Sequence, residues 1–86
     1  MSALLFARIA AVGEIARLES DRQRLVRTLS GLEIEAAGGA AVDAGRAAAE
    51  EALAACDLRM TTLEARLAQL DRDLAAEASP GEERKP

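Results

Sequence analysis

The stretch LAACDLRMTTLEARLAQLDRDL, residues 53–74, sets Leu53, Met60, Leu67 and Leu74 one heptad apart, with Cys56, Leu63 and Leu70 running beside them. Alternating steps of three and four residues put all seven on one side of an α-helix, in the pattern of coiled-coil a and d positions. The N-terminal half repeats the pattern. Its d row is Leu4, Ala11, Leu18, Leu25 and Leu32, and its a row is Arg8, Ile15, Arg22 and Leu29. Gly38-Gly39 separates the two runs, and adjacent glycines accept positive φ and stop a helix. The expected fold class is therefore all-α, a two-helix antiparallel coiled-coil hairpin that completes a helical bundle by oligomerisation or partner binding.

The boundaries follow from capping chemistry. Residues 1–78 read as the hairpin: a first helix over 2–37, a turn over 38–42 and a second helix over 43–78. Ser2 and Asp43 suit the two N-caps. Ser79-Pro80-Gly81 ends the second helix, and 79–86 reads as a disordered charged tail. Ser30-Gly31 is the expected point of fraying or kinking in the first helix.

The two heptad rows also specify a register. With the turn at Gly38-Gly39, a residues of one helix lie beside d residues of the other: Leu4 with Leu74, Ile15 with Leu63, Arg22 with Cys56, Leu29 with Ala49. At g positions Glu14 falls beside Arg66 and Asp21 beside Arg59. The opposite flank differs. There the e residues Leu5, Val12 and Val26 meet the acids Glu50, Asp57, Glu64 and Asp71. Together with Phe6 and Ile9, these e residues form an apolar surface that two helices cannot cover, the mark of an interface.

Composition narrows the chemistry. The chain has 86 residues, half of them apolar, with Phe6 the sole aromatic and no histidine. A core of this size rarely supplies more than ~3–5 kcal/mol, so association with another chain is expected. The net charge of −4 arises in the second half, and an acidic chain almost without aromatics is a poor binder of nucleic acid. The apolar start, residues 1–16, is interrupted by Arg8 and Glu14 and falls short of the roughly 20 residues of a membrane span. It also lacks the positively charged opening of a secretory signal.

Catalysis finds little to work with. Without histidine the commonest general base is missing, and no Glu-x-x-His pair exists for a di-iron site. No catalytic residue, cofactor or metal site is expected. Cys56 reads as a small buried hydrophobe, with a thiol activated by Arg22 as the sharper alternative. Arg22, polar at an a position, is a candidate register-setting core residue, or else a side chain that snorkels to Asp57. Arg17, Arg24 and Arg27 form an outer stripe that reads as a solvated face, with a phosphate or acidic-protein contact as the alternative.

The expected function is that of a non-enzymatic, cytoplasmic interaction protein: an assembly, adaptor or chaperone-like subunit. It acts through Leu5, Phe6, Ile9, Val12 and Val26 on a second copy (as dimer or tetramer) or on a larger protein. In size and hairpin form the chain is similar to the small subunit of bacterial exodeoxyribonuclease VII. That likeness implies an alternative, a small regulatory subunit of a larger nucleic-acid-processing enzyme. A further alternative is an accessory component of a secretion or phage-like particle assembly.

Overall fold

The computed structural model describes residues 2–78; the segment expected as a charged tail, 79–86, lies outside the described residues. Two helices make up the fold, α1 (Ala3–Ala37) and α2 (Asp43–Ala78), packed side by side and antiparallel. The hairpin is a rod of 73 × 23 × 15 Å. Its radius of gyration is 20.2 Å, against the roughly 12 Å of a compact domain of this length.

Each terminus has a local cause. The Ser2 hydroxyl accepts the Leu5 amide at 3.1 Å and so caps α1. At the other end, Gly39 N–H donates to Ala36 O and Ala40 N–H to Glu35 O, both at 3.0 Å. These two bonds make a Schellman stop, which requires a left-handed residue between them. Gly39 supplies it at φ 95°, whereas Gly38 keeps an ordinary φ of −84°. Only one glycine of the pair is therefore needed for its backbone freedom.

α2 starts one residue off the expected cap. The Val42 carbonyl accepts the Arg46 amide at 2.8 Å, so Val42 stands at the cap and Asp43 is already helical. In the first turn its carboxylate still complements the positive end of the helix dipole. α1 runs unbroken through Ser30-Gly31, because its hydrogen-bond ladder continues to Ala37.

The core is thin and lopsided. Its buried members are Ala11, Val42, Ala49, Cys56, Leu63 and Leu70, and the last four are successive d positions of α2, with Val42 one heptad earlier at its cap. The remaining leucines of the seam, among them Leu18, Leu25, Leu53 and Leu67, are half-buried. Two helices enclose one row completely and leave every other row at an edge. Near the turn Gly45 faces Leu32, and a Cβ there would meet its two methyls at ordinary contact distances of 3.5 and 3.6 Å.

Candidate functional site

The first four turns of α1 decide what this surface can do. On a helical wheel Leu5 and Val12 sit at e, Ile9 at b and Phe6 at f, three adjoining rows on one side. All four side chains are exposed, Phe6 at 59% and Ile9 at 56%. Gly13 adds a bare step with nothing within 4 Å of its Cβ position. Beyond Ala16 the same rows turn polar, with Glu19, Ser20 and Gln23, and large apolar residues return only singly, at Val26 and Ile34. The apolar surface is thus concentrated at the end of the rod away from the turn.

All five residues expected at a partner interface are exposed in the hairpin. Four of them are contiguous, while Val26 stands apart, two heptads from Val12. Two further large apolar side chains are exposed: Leu58 at an outward position of α2, and Ile34, 74% exposed in the last turns of α1. Ile34 lies on the f row, four heptads from Phe6, so its heptad position could have marked it as exposed.

The two flanks of the seam carry different charge patterns. On one, Arg59 donates from Nε to Glu14 at 3.0 Å and from an Nη to its second oxygen at 3.2 Å. This corrects the expected pairing of Glu14 with Arg66 and of Asp21 with Arg59. Arg59 stands at a height between the two acids, and Asp21 is instead held by Arg24 of its own helix at 3.3 Å. The bidentate bond to Arg59 lowers the Glu14 carboxyl below its usual range, with a smaller Coulombic contribution from Arg17. The same bond raises the Arg59 guanidinium.

On the other flank Arg8 reaches Asp71 at 2.6 Å and Arg22 reaches Asp57 at 2.8 Å. Both arginines occupy a positions, yet neither enters the core: each side chain is nearly half exposed, and no buried side chain among the described residues is charged or polar. Their guanidinium groups leave the seam for the acid that follows a buried d residue, Cys56 before Asp57 and Leu70 before Asp71. The aliphatic stem stays over the seam while the charge goes out to the rim.

Cys56 is buried, and its thiol donates to the Leu18 carbonyl at 3.3 Å. With Arg22 bound to Asp57, the sulfur's polar partner is a backbone oxygen and not a cation. Beside it lies a shallow surface hollow of about 360 Å³, bounded by Leu18, Asp21, Leu25 and Arg59 and left open by the small side chains of Ala52 and Ala55. In the outer stripe Arg17 and Arg24 lean on Glu14 and Asp21 of the same helix, which leaves Arg27 without an acid among the described residues. Among those residues no group of carboxylates or thiols comes together that could hold a metal ion. No described helix is long and apolar enough to cross a membrane.

The chain matches no family model, no curated protein and no solved structure. Any functional reading therefore rests on the surface just described.

Proposed function

We propose that this protein is a non-enzymatic interaction module, an assembly, adaptor or chaperone-like subunit, that works through the apolar face of α1. The observation that carries the reading is the contiguous exposure of Leu5, Phe6, Ile9 and Val12 on a rod whose own core is a single row. Such side chains gain about 1.5–3 kcal/mol each when fully buried, and in the isolated hairpin most of that is unrealised. A helix laid on this face would recover it. The binding mode is helix-in-groove association, read through positions spaced three and four residues apart. The lone thiol of Cys56 suits a reducing cytoplasm, where we place the protein.

The test is the double variant Leu5→Glu/Val12→Glu, followed by circular dichroism and by sedimentation. We expect helicity to be largely kept, because neither side chain belongs to the buried core, and association with any partner or second copy to be lost. If the variant and the parent have the same mass in every mixture, the face is not an interface.

A further inference from the structure

The flank that carries Arg8–Asp71 and Arg22–Asp57 has an alternating composition. These two ion pairs lie two heptads apart and hold the helices in one register. One heptad from each, that register sets Ile15 level with Glu64 and Leu29 level with Glu50. Glu64 and Glu50 are exposed, and neither forms an ion pair within the described residues. Acid is therefore neutralised at Asp71 and Asp57 and left bare at Glu64 and Glu50. Beside each bare acid α1 offers an exposed valine, Val12 at 42% and Val26 at 41%. Glu19, between the valines on the same row, adds a third negative charge with no ion pair among the described residues.

We propose that this flank is a docking groove for one basic amphipathic helix of a different protein. Its apolar residues would lie on Val12 and Val26, and its lysines or arginines would stand against Glu64 and Glu50. The inference rests on the apolar-face reading and adds the charge and spacing of the partner. Two acids two heptads apart on α2 are about 21 Å apart, so the partner's cations share that separation. A second copy fits poorly. A two-fold contact through the same flank sets acid against acid, on a chain whose net charge is already −4. The arginines that hold no carboxylate among the described residues, Arg27, Arg46, Arg66 and Arg72, include no two spaced two heptads apart.

The experiment uses the full chain and a fluorescent synthetic helix of about three heptads, with leucines at its seam and lysines two heptads apart. An otherwise identical helix with glutamates for the lysines is the control. We expect the lysine helix to bind at least about tenfold more tightly, and Glu50→Gln/Glu64→Gln to erase that preference. Val12→Ser/Val26→Ser should weaken both helices. Glu35→Gln/Glu51→Gln, which changes acids off this flank, should leave binding as in the parent. Equal binding of the two helices, or indifference to Glu50→Gln/Glu64→Gln, overturns the charged groove while leaving the apolar-face reading intact. A parent dimer that Val26→Glu dissolves also overturns it, because a second copy then fills the flank. If the serine and the Leu5→Glu/Val12→Glu variants both change nothing, the inference falls together with the reading beneath it.

Discussion

Gly39 is the one described residue with positive φ, and its two neighbours in the Schellman stop give it a defined worth. An alanine there would have to hold the left-handed region at a cost of about 1–2 kcal/mol. Gly38→Ala meets the Glu35 carbonyl at 3.4 Å but keeps an ordinary φ. Urea denaturation should therefore show Gly39→Ala losing about 1 kcal/mol and Gly38→Ala clearly less. The sequence presented the two glycines as equals. Only the backbone path tells them apart, because either could in principle stand at the left-handed position.

Glu14 makes a second residue-scale prediction. Its folded pKa is depressed by the Arg59 hydrogen bond, so the unfolded chain binds the proton more readily than the folded one. The stability it contributes is complete above the ordinary glutamate value of about 4.3, and it drains away as the pH falls through the lower folded value. Arg59, raised further from an already high value, stays charged throughout and adds no titration. Thermal melts of the parent and Glu14→Gln should differ at pH 7 and converge as the solution is acidified below pH ~4. Arg59 is exposed and Glu14 only half-buried, so the difference at neutral pH should be small and should shrink with salt.

At the scale of the element, α1 and α2 are unequal partners. α2 buries four successive d residues, Ala49, Cys56, Leu63 and Leu70, whereas of the α1 residues only Ala11 is buried. Leu63 and Leu70, 4% and 3% exposed in that row, should therefore be the costliest leucines to truncate. Leu63→Ala is expected to lose about 2 kcal/mol or more, and Leu58→Ala, on the outward face, almost nothing. Chemical denaturation of the two variants measures both. Equal losses would mean that α2 faces α1 differently. The heptad pattern placed both helices and the seam correctly, since periodicity needs only neighbours on the same helix. It could not rank the two d rows. That ranking depends on which helix wraps its side chains over the other, and the arginines of α1 provide part of the cover.

At the scale of the whole molecule, Arg8 and Arg22 limit how the seam can be used. Each stands where an apolar a residue would otherwise extend the core, and each instead ties the rim to α2. Exposed pairs of this kind contribute only about 0–1 kcal/mol. Their larger effect should be on specificity, because a continuous apolar a row would welcome other helices in other registers. Replacing both, as Arg8→Leu/Arg22→Leu, should leave the hairpin helical and at least as stable to heat. It should also shift the protein toward larger or mixed assemblies by sedimentation. An unchanged assembly state would show that the arginines have no part in choosing the partner.

What the sequence determined by itself was everything that depends on short range: helix type, heptad phase, the cap at Ser2, the glycine stop and the apolar rows at e, b and f of α1. Each is set by residues within about two turns of one another, and their order along the chain already encodes their position in space. The tertiary structure decided what depends on the height of one helix against the other. It gave Arg59 to Glu14 and not to Asp21, took Arg22 out to Asp57, seated Cys56 on the Leu18 carbonyl, and left Glu50 and Glu64 as bare acids. Glu14 and Asp21 are seven residues apart, about 10.5 Å along the helix, and a long arginine side chain standing at a height between them can turn to either. The heptad repeat is nearly silent about such choices, so only the packed hairpin could make them.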